Sequence, residues 1–367
     1  MLPAKLRAAL FERMSVMTMR YLRSIPRRDA SGLVARVYDM VADEFFINGS
    51  ITSQSKVPEL MAAMWTCGRE IVLVSDRLDR ATKEAMSATL SQVNDCAYCS
   101  DMLISLVHGS GRHEVAARIF ARAEQDIADD AMRARLAWVK AAAGSGATPS
   151  PAPFTPDQRP EAIGCLLLFG YINRFSHVVM DGSPVTAPFG LQSVKGVGLR
   201  LFGTELKQTT ERRLEPGRAL GLLAPAPLPD DLCWAAPNPR IAEAVARWAA
   251  AIDRETPRAV APAARARVER SLARWRGERM PLSRGWVDDE VAGLAGRDRE
   301  IARFALVVAK ASYQVDDALV AGVLGPERDE ARLIRVLAWA SFTGARRLVA
   351  RVAAGGETSA IAGEHAA

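Results

Sequence analysis

Apolar residues recur every three or four positions along most of the chain. From residue 29 this period runs through "SGLVARVYDMVADEFF", "VPELMAAMWTCGREIVLVSD" and "DRATKEAMSATLSQV", with short polar breaks between them. The period is that of an amphipathic helix with one buried face. It predicts a series of helices packed as a bundle. The later stretch "EAIGCLLLFGYINRFSHVV" is apolar on nearly every side, which predicts a helix at the centre of that bundle.

A second helical series runs from Pro237 to about Ala354, and its end resembles the end of the first series. Each contains a helix, a break, a polar helix start and a long apolar helix with an arginine near its end, Arg174 in the first and Arg346 in the second. We interpret this as a degenerate internal duplication. The second copy has no cysteine pair.

The residues between the two series are rich in Gly and Pro, which interrupt regular elements. They also carry enough Leu, Val and Phe that we expect this connector to pack across the surface. The predicted fold is all-α, with two related helical-bundle units joined by a Gly/Pro-rich connector, and an aromatic content of only 6% agrees with it. The predicted parts are a basic amphipathic helix (1–28), a first helical unit (29–185), the connector (186–235), a second helical unit (236–355) and a flexible tail (356–367).

The net charge of +6 lies at the start of the chain. Residues 1–28 contain seven basic residues and one acidic residue, so the remainder is balanced and we expect no nucleic-acid partner. Charged residues interrupt each apolar run in this segment, which argues against a signal peptide, and no stretch approaches the roughly 20 apolar residues of a membrane span. We expect a cytoplasmic protein whose first helix docks onto the domain or a partner, with contact to a membrane surface less favoured.

The chain has five cysteines, and two of them stand three apart in "NDCAYC". If Asp95 caps a helix, Cys96 and Cys99 lie on one face of its first turn with β-carbons roughly 5–6 Å apart. A helix N-terminus also stabilises thiolate over thiol, so the pair suits a reversible dithiol.

Two other interpretations of the pair stay open, a zinc site and a pair of inert buried thiols. Zinc normally needs four ligands, and the other cysteines, Cys67, Cys165 and Cys233, are scattered singly, where they suit small core residues. No nucleotide loop, haem motif or flavin fingerprint is visible. We therefore expect neither a metal nor a cofactor.

Glu84 stands twelve residues before Cys96, and together with "SQVNDCAYC" it resembles the core motif of the alkylhydroperoxidase D and carboxymuconolactone decarboxylase superfamily. The downstream helix with Asn173 and Arg174 is also similar to that superfamily. The resemblance covers roughly residues 31–185 well and the second half weakly. It implies an all-helical fold that commonly trimerises or forms higher rings, and hence a homo-oligomer.

The resemblance also implies a thiol peroxidase. Carried over residue by residue, Cys99 is the thiol that attacks the hydroperoxide, Cys96 resolves the resulting sulfenic acid, and Glu84 is the distal base of a proton relay. This chemistry agrees with first principles, because a partner thiol protects a sulfenic acid from over-oxidation. The expected substrate is a hydroperoxide or a disulfide, and electrons would come from a separate protein reductant.

The chain departs from the family at one position, where Leu103 replaces the histidine four residues after the second cysteine. On a continuous helix His108 would point away from the thiols, and His113 lies further still. His177 is the remaining replacement, although a helix-end residue bonded to solvent or backbone is its plainer interpretation. General acid–base assistance is commonly worth about 10²–10⁴-fold, so we expect a slow peroxidase.

Two further site residues have structural alternatives. Glu84 could instead form an ordinary surface pair with Arg80 four residues earlier. Tyr98 suits a packing residue whose hydroxyl could touch a substrate. At the level of the whole protein, the alternatives are a non-redox lyase acting on a lactone acid, which the intact cysteine pair speaks against, and a helical scaffold with vestigial thiols, which Leu103 favours.

Overall fold

The computed structural model describes residue 13 and residues 18–146, 152–183, 185 and 191–364, with side chains described as far as Ala354. This part of the chain contains fifteen α-helices and no β-strand. The prediction of an all-α fold made of two helical units is therefore confirmed.

The first unit begins with eight α-helices, most of which start where the sequence pattern predicts. Asp79 and Asp129 each accept a hydrogen bond at 3.0 Å from the backbone N–H three residues ahead, and so satisfy one of the free N–H groups at a helix start. The helices are α1 (Gly32–Glu44), α2 (Gly49–Thr52), α3 (Pro58–Cys67), which continues as the π-helix Gly68–Leu73, α4 (Arg80–Val93), α5 (Ala97–Gly109), α6 (His113–Phe120), α7 (Asp130–Ala143) and α8 (Arg159–Val179).

Helix α8 lies at the centre of the protein, as its sequence predicts. Its length and composition alone would suit a membrane-spanning helix, but 89% of its most apolar 18-residue window is buried inside the protein. That burial is what a central core helix requires, so its hydrophobicity is explained by packing.

The connector contains a regular helix, which corrects the sequence prediction. Residues Gln192–Glu211 form α9, a 20-residue helix that packs along α5. Its glycines permit a close crossing: a β-carbon on Gly203 would lie 2.7 Å from the His108 β-carbon, and one on Gly109 would lie 2.8 Å from the Gly203 carbonyl oxygen. The glycines that suggested helix breaking therefore serve close contact between helices.

The second unit packs its helices around one long element. Its helices are α10 (Pro239–Glu255), α11 (Pro262–Arg274), α12 (Gly285–Glu290), α13 (Gly296–Ala311), α14 (Asp317–Leu324) and α15 (Glu330–Glu364). Helix α15 crosses α8, where a β-carbon on Gly170 would lie 3.0 Å from that of Ala345, and the buried residues of both units form one apolar cluster. The helix reaches Glu364, so the predicted tail 356–367 is helical over most of its length, and residues 365–367 lie outside the described residues.

The predicted N-terminal helix over residues 1–28 is only partly covered, because residues 1–12 and 14–17 lie outside the described residues. Residues 19–26 are not helical, and Arg27–Asp29 form a short 3₁₀ helix. Met19 pairs with Met180 at the end of α8, and the Arg20 N–H donates to the Val179 carbonyl at 2.8 Å. At Met19 and Arg20, backbone pairing with the end of α8 therefore takes the place of the hydrogen bonds that a helix would make.

Candidate active site

Cys96 ends the short turn between α4 and α5, and Cys99 lies in the first turn of α5. The predicted cap, Asp95, is displaced by one residue: Cys96 is the N-cap of α5, and Asp95 precedes it with a φ of 58°. The turn is so tight that the Cys96 N–H donates back to the Ser91 carbonyl at 2.9 Å. Asp is among the residues that tolerate such a left-handed conformation, and this explains why it stands there.

Cys96 and Cys99 are joined as a disulfide, with their α-carbons 5.4 Å apart. Both are buried, and the backbone N–H of Cys99 donates to the Cys96 sulfur at 3.4 Å. The sulfur of Cys96 therefore takes the place of the usual capping oxygen. The prediction that the pair would lie together at a helix start agrees with this geometry.

A cavity of about 90 Å³ lies against this pair. Cys99 and Glu84 both line it, whereas Cys96 is not among the described lining residues. Most of the wall is apolar, including Phe45, Trp65, Met102, Leu106, Phe169 and Ile172. Leu103 also faces the cavity, so the position at which the family carries histidine is directed at the site and is apolar here.

Glu84 forms a buried ion pair with Arg80. The Arg80 Nε donates to Glu84 Oε1 at 2.7 Å, and the two side chains are 4% and 0% exposed, so the interpretation as a surface pair is wrong. Arg80 Nη1 also donates to the Thr209 carbonyl of α9 at 2.8 Å, and Glu84 Oε2 has no hydrogen-bond partner among the described residues. Burial raises the pKa of Glu84, and the Arg80 guanidinium opposes that rise.

Tyr98 lines the same cavity and is buried, as expected of a packing residue. Its hydroxyl is hydrogen-bonded with the backbone of Gly49, and burial raises its pKa. The hydroxyl is thus held at the cavity wall.

Among the described residues, no histidine lines the cavity beside Cys99 and Leu103. His177 Nδ1 lies 2.7 Å from Ser312 Oγ of the second unit, burial lowers its pKa, and it is not among the described residues that line the cavity. His108 contacts His113, with their Nδ1 atoms 3.1 Å apart. His108 and His113 are likewise not among the described residues that line the cavity.

A polar clamp that the sequence did not predict lies behind the cysteine turn. Asn94 Nδ2 donates to Asn173 Oδ1 at 2.8 Å, and Asn173 Nδ2 donates to Ser91 Oγ at 2.9 Å. A buried asparagine in the otherwise apolar α8 was the available signal, since a buried amide needs partners. The clamp ties the turn before Cys96 to the central helix.

The remaining three cysteines differ in their exposure to solvent. Cys67 and Cys165 are buried, and burial raises the pKa of both thiols, as expected of inert core residues. Cys233 is exposed, contrary to the prediction, because it lies in the short 3₁₀ helix Asp230–Ala235 with its side chain turned outward. Among the described residues no three His, Cys, Asp or Glu side chains are grouped so as to hold a metal ion.

Comparison with known proteins finds a matching family and a relative of this chain. The carboxymuconolactone decarboxylase family matches residues 58–141, a range that includes Glu84 and both cysteines of the pair. An alkyl hydroperoxide reductase of Mycobacterium tuberculosis is 33% identical over 301 residues, which cover 81% of this chain and 84% of that protein. No solved structure matches the chain significantly.

Proposed function

Because the chain belongs to the carboxymuconolactone decarboxylase family and is 33% identical to an alkyl hydroperoxide reductase over most of its length, we propose that it is a thiol peroxidase acting on organic hydroperoxides. One observation carries the proposal. Cys99 and Glu84 line the same buried apolar cavity, and Cys96 lies directly behind Cys99.

The reaction begins with the Cys99 thiolate, which attacks the outer oxygen of the hydroperoxide. The O–O bond breaks, Cys99 becomes a sulfenic acid, and the departing alkoxide takes a proton to give an alcohol. The Cys96 sulfur then attacks the sulfenic sulfur, and water leaves as the disulfide forms. The dithiol supplies both electrons, and a separate protein reductant returns them by thiol–disulfide exchange.

Glu84 is the proton carrier that the cavity provides. Its pKa is raised, so at a pH near that value it exchanges a proton readily with the thiol or the alkoxide. Arg80 fixes one carboxylate oxygen, which leaves Oε2 for this exchange. With Leu103 in place of the imidazole, a proton passes directly or through water, and the rate is accordingly low.

The lining determines the substrate class. Each buried methylene group contributes about 0.8 kcal/mol, so an apolar wall favours a hydrophobic organic hydroperoxide over hydrogen peroxide. The aromatic part of this wall comes from the residues that follow α1 and from α3, α5 and α8.

Steady-state peroxide consumption tests the proposal, with dithiothreitol supplying electrons and either cumene hydroperoxide or hydrogen peroxide as substrate. We expect a higher kcat/KM for cumene hydroperoxide, loss of activity in Cys99→Ser, and unchanged activity in Cys233→Ser, which removes an exposed thiol away from the cavity. Full activity in Cys99→Ser would exclude this mechanism.

A further inference from the structure

A second cavity, of about 270 Å³, lies where the two helical units meet. Its wall combines the turn before Cys96, the end of α7, Arg174 of α8, and residues of the second unit that include Trp275, Lys310 and Tyr313. None of the described residues that line it also lines the cysteine cavity. It is a separate cavity, and the residues just before Cys96 form part of its wall.

Arg174 is the unusual member of this wall. The residue is 8% exposed, yet among the described residues no carboxylate pairs with it. Its Nε donates to the Ala309 carbonyl at 2.9 Å and its Nη1 to the Gly170 carbonyl at 2.6 Å, while Nη2 makes no hydrogen bond with the described residues. Desolvation lowers its pKa to about 10.

A second buried arginine, Arg69, has its positive charge paired with carboxylates. Arg69 is 0% exposed and pairs with two glutamates, Glu44 at 2.5 Å and Glu70 at 2.6 Å. Burial of a charge is costly unless the charge is paired. Arg174 lacks the acidic partners that Arg69 has, and one of its nitrogens has no hydrogen-bond partner among the described residues.

The other basic side chains around this cavity have acidic partners, and the Glu278 carboxylate is exposed to solvent. Arg279 pairs with Asp95, and Lys310 Nζ donates to Ser271 Oγ at 2.7 Å and lies 3.6 Å from Glu290 Oε1. The carboxylate of Glu278 accepts a hydrogen bond from the Arg276 N–H at 2.8 Å. Arg174 is therefore the buried charge of this wall that has no ion-pair partner among the described residues.

We propose that this cavity binds a small organic carboxylate, whose charged group pairs with Arg174. Planar guanidinium groups pair best with planar carboxylates, through two parallel hydrogen bonds. Trp275, whose ring centroid lies 6.0 Å from the Arg174 guanidinium carbon, and Tyr313 provide aromatic surface for the apolar body of the ligand. The bound molecule would rest against Asn94 and Asp95, at the entrance to α5.

Isothermal titration calorimetry with sodium benzoate in low-salt buffer tests the proposal. We expect saturable binding of one benzoate per chain, and at least about tenfold weaker binding of the neutral isostere benzamide, because a charge-assisted pair is lost. Arg174→Met should weaken benzoate binding by a similar factor. Arg254→Met, which removes an exposed arginine paired with Glu59, should leave it unchanged.

Three calorimetric results would overturn the proposal. They are the absence of saturable benzoate binding, equal binding by wild type and Arg174→Met, and benzamide binding as tight as that of benzoate. Inorganic phosphate that binds more tightly than benzoate would also overturn it, because the ligand class would then be an inorganic oxyanion.

A second measurement uses wild-type protein, so its result does not depend on whether Arg174→Met folds. Crystals soaked with 4-bromobenzoate should show a bromine anomalous peak inside this cavity. A peak only elsewhere, or none, would contradict the assignment.

Discussion

Leu103 faces the same cavity as Cys99 and Glu84, and it stands four residues after Cys99, where the motif that this chain resembles has a histidine. An isobutyl group carries no proton, so the thiol and the carboxylate have no imidazole between them. Cys99 and Glu84 still line the cavity, and Cys96 is bonded to Cys99. The absent relay should therefore limit the rate while leaving the thiol chemistry available.

Leu103→His should restore the relay. We expect kcat/KM for cumene hydroperoxide to rise at least about tenfold, toward the 10²–10⁴-fold commonly associated with general acid–base assistance. Leu106→His is the matched control, because it puts an imidazole in the same cavity further along α5. Equal rates for both variants and wild type would show that proton transfer does not limit the reaction.

Glu84 and Arg80 together should set the pH dependence. Burial raises the pKa of Glu84, so the basic form accumulates, and the rate rises, as pH increases through that raised value. Glu84→Gln should remove this limb of the profile and lower kcat/KM by about 10²–10⁴-fold. Arg80→Met removes the cation that holds the pKa down, so the limb should move to higher pH. Arg77→Met, at an exposed neighbour, should not move it.

The spacing of residues along helices predicted part of this site and missed the rest. Glu84, Cys96 and Cys99 lie on neighbouring helices joined by a three-residue turn, so their proximity follows from local sequence. The burial of the Arg80–Glu84 pair depends on α9, which is more than a hundred residues away along the chain. A contact of that kind is not encoded in local periodicity.

Helix α9 lies in the connector, which the sequence pattern predicted to be irregular. Glycine disfavours an isolated helix by about 1 kcal/mol relative to alanine, and the sequence "VKGVGLRLFG" contains three glycines. Packing on α5 overrides that preference, with Gly203 and Gly109 at the crossing and Lys195 bound to the buried Asp101 at 2.7 Å. Through Thr209 the same helix holds Arg80, so it supports the active site from behind.

Gly203→Ala should show how much this crossing matters. The new methyl group meets the α5 backbone and the His108 side chain, and overpacking of this kind typically costs about 1–3 kcal/mol of unfolding free energy. Gly221→Ala, where a β-carbon meets nothing within 4 Å, should change it by no more than about 0.5 kcal/mol. Urea unfolding followed by circular dichroism measures the unfolding free energy of both variants. Equal losses of stability would contradict a close contact between α9 and α5 at Gly203.

At the scale of the whole molecule, the two helical units share one apolar core, because α8 of the first packs against α15 of the second. Hydrophobic periodicity predicted the all-α class, the two units and the central place of α8. It did not predict how the units meet. The cavity beside Arg174 arises at that junction from segments distant in sequence.

A shared core predicts cooperative unfolding. Thermal unfolding followed by far-UV circular dichroism and by tryptophan fluorescence should give coincident single transitions, since Trp65 reports on the first unit and Trp248 on the second. Two separated transitions would show that the units fold independently.

The central claim is that Cys96 and Cys99 form a dithiol that an organic hydroperoxide oxidises. The most direct test counts free thiols by mass spectrometry on fully reduced protein, before and after one equivalent of cumene hydroperoxide. We predict that wild type loses two thiols as a Cys96–Cys99 disulfide and that Cys99→Ser loses none. Retention of all five thiols by the wild-type protein would contradict the claim.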